Sequence, residues 1–350
     1  MTTTIAAGAA PALTGARRRR ALRWIVFSAS VVILIGVVVT SLTIGTRAVS
    51  LTDVWNALVA PVAGNVDHLV IRELRVPRTV IGIMAGAALA LVGAVIQGVT
   101  RNPIADPGLL GINAGASLAV VVAISALGIS NPDGYIWFAF VGAAVAAVVV
   151  FVIGSSGRDG ATPVKLALTG AAVMATATPL ITLLLISDLD TLNQYRFWSV
   201  GSLAGRELAT AGALWPFLVV GLVLALLLGR RLNLLALGDD VARGLGERPA
   251  VTHVLAALAV VVLAGTATAL AGPIALVGLV VPHVARRITG PDYRWILAYC
   301  LTLGPILLLV ADVIGRVLVA PAELEVGIVV AFIGAPMLIA IVRRARLAGM

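Results

Sequence analysis

Residues 86–115 read GAALALVGAVIQGVTRNPIADPGLLGINAG, and this stretch decides the fold. Its first half is an apolar segment of helical length in which glycine and alanine recur, as they do where membrane helices approach closely. The helix breaks at Asn102-Pro103, because proline lacks a backbone donor and disfavours helical geometry in the residue before it. A second break follows at Asp106-Pro107-Gly108, after which another apolar segment begins. The pattern predicts two membrane helices joined by a tight re-entry turn, and the alternative is that the turn is only a rigid hairpin.

The composition places the chain among membrane proteins. Of its 350 residues, 60% are hydrophobic and 12% are charged, whereas about 25% of the residues of a soluble domain are charged. We interpret the net charge of +9 as a record of membrane topology and not as a nucleic-acid surface. The single cysteine, Cys300, excludes a disulfide within the chain.

Ten apolar segments approach the length of about 20 residues that a membrane helix needs. We predict an all-α polytopic membrane protein with ten transmembrane helices, at about residues 24–45, 78–99, 109–128, 135–154, 164–186, 211–229, 250–271, 273–289, 295–315 and 326–342. Most arginines fall in the loops predicted inside and most acidic residues in those outside, as the positive-inside rule requires. An even number of spans places both termini in the cytoplasm. Residues 1–20 are predicted to form a disordered cytoplasmic tail, and residues 21–350 a single transmembrane domain.

The longest inside connection predicts a short helix at about residues 239–246. Asp239 is a suitable N-cap, and Gly246 is a suitable residue to end the helix. One face of this helix is predicted to carry Val241, Ala242 and Leu245. A helix of two turns needs a surface to pack on, which leaves two alternatives: docking into a groove of a cytoplasmic partner, or lying on the bilayer.

Enzyme chemistry is not encoded in recognisable motifs. The sequence has no G-x-x-x-x-G-K-[ST] phosphate loop and no nucleophile elbow. The three histidines lack metal-ligand spacing. The predicted membrane midplanes are empty of charges, and Asp312 and Arg316 near the outer end of a span are interpreted as a local ion pair. We predict a non-catalytic transport subunit without cofactor or metal, driven by a separate motor. A gradient-driven secondary transporter and a scaffold without transport are the alternatives.

Several motifs in the same order resemble the FecCD-type permeases of bacterial ABC importers: Arg75–Arg78, residues 86–115, Leu237–Gly246, Gly272–Arg287, Gly290–Arg294 and Asp312–Pro336. The resemblance implies a type II ABC importer permease-like bundle in the bacterial cell membrane that works by alternating access. It implies four kinds of partner: a second permease subunit, identical or related; two cytoplasmic ATPase subunits; an extracytoplasmic substrate-binding protein; and the lipid bilayer, with no nucleic acid. The implied cargo is an iron chelate, first a ferric siderophore, with cobalamin or haem as the alternative.

The same resemblance implies roles for individual residues. Arg75 and Arg316 would receive carboxylates of the binding protein, a task that suits the guanidinium fork. The coupling helix to the ATPase would comprise Asp239, Asp240, Val241, Ala242, Arg243, Leu245 and Gly246. The gate and re-entry turn would comprise Asn102, Pro103, Asp106, Pro107, Gly108, Thr162 and Pro163. Gly244 costs about 1 kcal/mol in a helix relative to alanine, and Glu247 replaces an apolar residue of the family, so both are expected to weaken ATPase docking.

Overall fold

The computed structural model describes residues 10–106, 108, 111–129, 131–156 and 163–348. Within these ranges the chain forms helices, turns and loops and contains no β-strand. A π-helical turn, Val70–Arg75, joins the helix Val66–Leu69 to the helix Val76–Thr100, so that Val66–Thr100 is one continuous helix of 35 residues. In chain order the helices are α1 (Ala10–Thr43), α2 (Leu51–Val59), α3 (Val66–Leu69), α4 (Val76–Thr100), α5 (Ile112–Leu127), α6 (Pro132–Gly154), α7 (Pro163–Ser187), α8 (Leu189–Ser199), α9 (Leu208–Leu227), α10 (Gly229–Leu235), α11 (Asp239–Gly244), α12 (Pro249–Ala271), α13 (Val277–Thr289), α14 (Tyr293–Leu318) and α15 (Val326–Ala348). The predicted all-α class is confirmed.

Every predicted membrane span coincides with a helix, namely α1, α4, α5, α6, α7, α9, α12, α13, α14 and α15. In the part of the chain that the structure describes, seven helices are long and apolar enough to cross a bilayer. α13 has only 13 residues. At about 1.5 Å per residue it covers about 20 Å of a hydrocarbon core that is about 30 Å thick. The chain is therefore a multi-pass membrane protein, but the length of its helices does not establish ten complete spans.

Two of the short helices begin later than the sequence pattern predicted. α13 starts at Val277, because Gly272 and Leu276 have positive φ angles of 76° and 70° and the chain between them is not helical. α5 starts at Ile112, after Gly111 at a φ of 70°. Non-helical backbone at membrane depth is tolerated where protein surrounds it. The non-helical residues that lead into α13 and α5 are therefore expected to lie inside the bundle.

The amino-terminal tail is more helical than predicted. α1 begins at Ala10, within the predicted disordered segment 1–20. Alanine and arginine are strong helix formers, which explains why the membrane helix extends through the Arg17–Arg20 run. Residues 1–9 lie outside the described residues.

The outer connection between α7 and α9 contains a helix that the sequence did not predict. The Asp188 carboxylate caps α8 by accepting from the amides of Asp190 and Thr191, each at 3.1 Å. Trp198, near the end of α8, is buried. A Cβ on Gly272 would lie 2.5 Å from the Trp198 carbonyl oxygen. The end of α8 therefore packs directly on the backbone that leads into α13.

α4 lies at the centre of the bundle and packs against α9, α12, α13 and α14. Two glycine contacts set its distance from its neighbours. A Cβ on Gly86 would lie 2.7 Å from the carbonyl oxygen of Gly304 in α14, and one on Gly93 would collide with the carbonyl of Gly278 in α13. Such backbone-to-backbone approach is how small residues stabilise membrane helix pairs.

Candidate docking, coupling and gating sites

α11 is the candidate coupling helix on the inner side, and it is shorter than predicted. It contains Asp239–Gly244 and lies between Gly238, at a φ of 103°, and Gly246, at a φ of 84°. Glycine adopts such angles without strain, so these two residues define the beginning and end of the helix. Asp239 was predicted to be the N-cap, but Gly238 occupies that position, and the Asp239 carboxylate pairs with a partner outside α11 and does not cap the helix.

That partner is Arg101, the residue that follows α4. Its Nη2 donates to Asp239 Oδ1 at 2.6 Å. The ion pair joins the inner end of the central helix to the beginning of α11. The two residues are 138 positions apart, so no local sequence pattern could have predicted the contact.

Two aliphatic side chains lie on the exposed face that α11 forms with the residue after it. Val241 is 51% exposed and Leu245 is 59% exposed, whereas Ala242 is fully buried. The prediction that Ala242 shares this face is therefore wrong, since a rotation of about 100° per residue turns it toward the subunit. Arg243 and Asp240 form an exposed ion pair beside the aliphatic residues, at 2.6 Å.

Glu247 bonds into the subunit and does not extend toward the exposed Val241 and Leu245. Its Oε1 accepts from Thr252 Oγ1 at 2.6 Å and from Arg231 Nη1 at 3.2 Å. The side chain is only 13% exposed. Glu247 thus fixes the turn after α11 to α10 and α12, and the physical reason for expecting it to weaken docking does not apply.

The re-entry turn after α4 is built by two of the predicted side chains. Asn102 Oδ1 accepts from the amide of Ile104 at 3.1 Å. Asp106 Oδ1 accepts from the amide of Gly108 at 2.8 Å. The Asp106 carboxylate is buried and interacts electrostatically with the backbone N–H of Leu276, the residue before α13, while its Oδ2 has no hydrogen-bond partner. Asp106 therefore ties the turn to the beginning of α13, a contact that the sequence did not predict.

The remaining predicted gate residues are only partly visible. Pro103 lies in the turn, and Pro163 is the first residue of α7. Pro107 and Thr162 lie outside the described residues. The assignment of an inner gate to these positions stays a prediction.

On the side predicted to face outward, Arg75 and Arg316 are 5% and 3% exposed. Arg75 donates to the carbonyl oxygens of Leu42, at 2.7 Å, and Arg47. Arg316 donates to the Ser41 carbonyl at 2.9 Å. These carbonyls belong to the last turn of α1 and the loop after it, where backbone acceptors lack helical partners. The two predicted docking arginines therefore hold the outer end of α1 against α4 and α14.

Asp312 and Arg316 form the predicted ion pair, with 2.9 Å between Oδ2 and Nη2. The pair belongs to a larger buried network that the sequence did not predict. Arg78 binds Asp312 at 2.8 Å and Glu323 at 2.6 Å. Asp312 is fully buried, so its charge is stable only because two guanidinium groups neutralise it.

Both predicted docking arginines line one pocket on the outer side, with a volume of about 290 Å³. Five arginines line it against two glutamates: Arg47, Arg75, Arg78, Arg206 and Arg316, with Glu73 and Glu323. The Nε atoms of Arg206 and Arg316 are buried without a hydrogen-bond partner. A positively charged pocket with unsatisfied guanidinium donors is suited to a carboxylate from outside. Sequence reasoning identified two of these arginines and missed the other three.

No metal-binding cluster is visible in the described ranges, where no three His, Cys, Asp or Glu side chains come close enough to hold an ion.

A family model described as the FecCD transport family matches residues 33–344. Among curated proteins, the chain is 40% identical to the "Probable siderophore transport system permease protein YfiZ" of Bacillus subtilis, over 93% of this chain and 98% of that protein. It is 44% identical to the "Ferric enterobactin transport system permease protein FepD" of Escherichia coli, over 87% of this chain and 90% of that protein.

A solved structure has the same fold. It is described as an inward-facing conformation of a putative metal-chelate type ABC transporter, and it matches with a TM-score of 0.79 at 26% identity. The match covers 91% of this chain and 99% of the solved chain. The likeness thus extends over nearly the whole molecule and is not confined to single motifs.

Proposed function

The chain belongs to the FecCD transport family, and from that membership we propose that it is the permease subunit of an ATP-binding cassette importer for an iron chelate, most specifically a ferric siderophore. The proposed cargo is supported by the names of two similar permeases, because one is named for a siderophore and the other for ferric enterobactin. Neither of these two names refers to cobalamin or haem, the alternative cargoes. The protein lies in the bacterial cell membrane with both termini in the cytoplasm, as its distribution of arginines favours.

ATP is hydrolysed by two separate cytoplasmic subunits, and α11 docks into a groove of one of them. The support is an exposed aliphatic pair, Val241 and Leu245, on a helix too short to be stable alone. The network around Glu247 and the Arg101–Asp239 ion pair hold this helix rigidly. A displacement of α11 is therefore transmitted to α4 through the Arg101–Asp239 ion pair.

An extracytoplasmic substrate-binding protein docks on the outer pocket and places carboxylates near Arg75 and Arg316. Because both guanidinium groups also bind the outer end of α1, an incoming carboxylate competes with those carbonyls. Docking then loosens α1 from α4 and α14 at the moment the cargo arrives. Arg206 and Arg47, at the rim of the same pocket, supply further positive charge.

The conduit forms between this chain and a second permease subunit, identical or related. α7 supports this arrangement, because it exposes Thr176, Thr178 and Thr182 on a helix that crosses the membrane. The Thr176 and Thr182 hydroxyls bond to carbonyls of α7 itself, and small residues such as threonine are enriched where membrane helices pack closely against each other. The re-entry turn at Asn102–Gly108 and the beginning of α7 at Pro163 close the inner side until the ATPases act.

One experiment tests the proposal as a whole. The chain is expressed with its proposed ATPase and binding-protein partners, in a strain that lacks its own siderophore permease, and uptake of radioactive iron as ferric siderophore is measured. We expect ATP-dependent uptake that Val241→Asp with Leu245→Asp abolishes by releasing the ATPase from the membrane. Leu189→Asp, an exposed residue of α8 on the outer side, is the matched control and should retain the ATPase. Uptake that survives loss of the ATPase would contradict the proposal and favour a gradient-driven carrier.

A further inference from the structure

α2 has three distinct faces around its axis. Successive residues of an α-helix are rotated by about 100°, which groups the nine residues of α2 into separate arcs. One arc is buried against the protein and contains Val54 and Ala57. A second arc is polar and contains Thr52, Asp53 and Asn56. The third arc is apolar but exposed, and it contains Leu51, Trp55 and Val59, with Leu58 at its edge.

The exposed apolar arc continues beyond α2. Val62, Val66 and Leu69 are also largely exposed, and Trp55 is 66% exposed. An apolar surface of this extent, on residues that precede the predicted span 78–99, marks a contact with something apolar.

Three observations favour the bilayer. α2 begins eight residues after the outer end of α1, and the amide of Val49 binds the carbonyl of Thr43 at 3.0 Å, so α2 stays close to the point where α1 leaves the membrane. The exposed face of α1 itself is apolar near that point, at Val39 and Ile44. Tryptophan is enriched at the level of lipid headgroups.

We infer that α2, together with Val62, Val66 and Leu69, lies in the outer membrane interface as a phospholipid-bound anchor. The buried arc contacts the protein, the polar arc faces water, and the arc around Trp55 is immersed at the boundary between headgroups and acyl chains. Such a division is the arrangement expected of an amphipathic helix that lies in the plane of the interface.

The anchor has a consequence for the docking pocket. Val54 and Ala57 pack in one buried cluster with Ile71, and Ile71 lies in the π-helical turn that ends with Arg75. Lipid contact at Trp55 therefore fixes the height of Arg75 above the bilayer. Leu58, at the edge of the exposed arc, lines a second outer pocket that contains Arg72 and Arg206, and Arg206 also lines the docking pocket.

The test uses a single fluorescent label. Cys300 is fully buried, so a maleimide reagent reacts with an introduced cysteine in the folded chain. Trp55→Cys and the control Asn56→Cys, on the polar arc, are labelled with an environment-sensitive dye and placed in nanodiscs of phosphatidylcholine and phosphatidylglycerol. Some of the lipids carry a nitroxide near the headgroup. We expect severalfold stronger quenching by the nitroxide lipid at position 55 than at position 56.

Equal quenching at the two positions, or quenching at position 55 by a water-soluble reagent alone, would overturn the inference. The inference would also be overturned if the label at position 55 is shielded from the water-soluble quencher only after the binding protein is added. That result would assign the surface to the binding protein. Retained size-exclusion profiles of both labelled variants serve as the folding control. The measurement needs no cargo, ATPase or nucleotide, so its outcome is independent of the proposed transport function.

Discussion

Arg101 and Asp239 form a 2.6 Å ion pair between the inner end of α4 and the beginning of α11. It is the one charged contact, among the described residues, between α11 and a membrane helix. Both side chains are partly exposed, so the pair adds about 1 kcal/mol or less to stability. Its importance lies in position, because it connects the proposed ATPase-docking helix to the helix that reaches the outer pocket.

Removing this ion pair should uncouple ATP hydrolysis from transport. We expect Arg101→Ala and Asp239→Asn to leave the assembled complex stable while lowering the ratio of iron imported to ATP hydrolysed. The reason is that α11 then moves without displacing α4. Coupled uptake and ATPase assays in proteoliposomes measure this ratio.

The exchanged double variant, Arg101→Asp with Asp239→Arg, is the control because it restores opposite charges. It should recover part of the coupling. If the single variants keep the wild-type ratio, α4 does not receive the signal through this contact.

Loss of Arg316 should destabilise the outer end of the bundle. Arg316→Ala leaves the fully buried Asp312 with one guanidinium partner and frees the Ser41 carbonyl. Breaking a buried ion pair from one side costs about 3–5 kcal/mol. Arg47→Ala, which removes an exposed ion pair with Asp67, should cost about 1 kcal/mol or less. Thermal unfolding in detergent, followed by circular dichroism, compares the two variants, and equal midpoints would disagree with the structural role of Arg316.

The glycine contact between α4 and α13 should tolerate no side chain. Gly93→Ala places a methyl group on the Gly278 carbonyl, and overpacking of this kind costs about 1–3 kcal/mol or more. Gly36→Ala is the matched control, since that glycine lies in the membrane helix α1 with nothing within 4 Å of the added Cβ. We expect Gly93→Ala to reduce folded yield and thermal stability, and Gly36→Ala to leave both unchanged or slightly higher. A Gly93→Ala variant as stable as the control would mean that α4 and α13 do not touch.

The Asp106 carboxylate should determine how firmly the re-entry turn holds α13. Asp106→Ala removes the acceptor for the amide of Gly108 and the negative charge near the N–H of Leu276, and a buried amide left unsatisfied costs about 1–3 kcal/mol. We expect faster hydrogen exchange at the beginning of α13 and reduced uptake. Asp190→Ala, an exposed acid in α8, is the control. If hydrogen exchange around Leu276 is the same in Asp106→Ala as in the wild type, Asp106 does not hold the beginning of α13.

The sequence predicted the features that depend on local pattern. Hydrophobic segments indicated every membrane helix, and the proline and glycine positions around Asn102 indicated the turn. The i,i+4 spacing of Asp312 and Arg316 indicated their ion pair, because the helix brings residues at that spacing together. These features follow from periodicity and backbone restriction alone.

Features made by distant residues could not be predicted from pattern. Arg78 contacts Asp312 and Glu323 across more than 200 positions. The burial of Arg75 and Arg316 depends on where α1 ends relative to two other helices. The late beginning of α13 depends on the backbone of Leu276, a residue that seldom adopts positive φ. A single sequence contains no signal for such contacts.

The most direct measurement is accumulation of ferric siderophore in proteoliposomes that contain the permease with or without its ATPase partner. We predict concentrative uptake only when the ATPase, ATP and the binding protein are all present, and none when Val241 and Leu245 are replaced by aspartate. Concentrative uptake by the permease alone, driven by an ion gradient and abolished by an uncoupler, would contradict it.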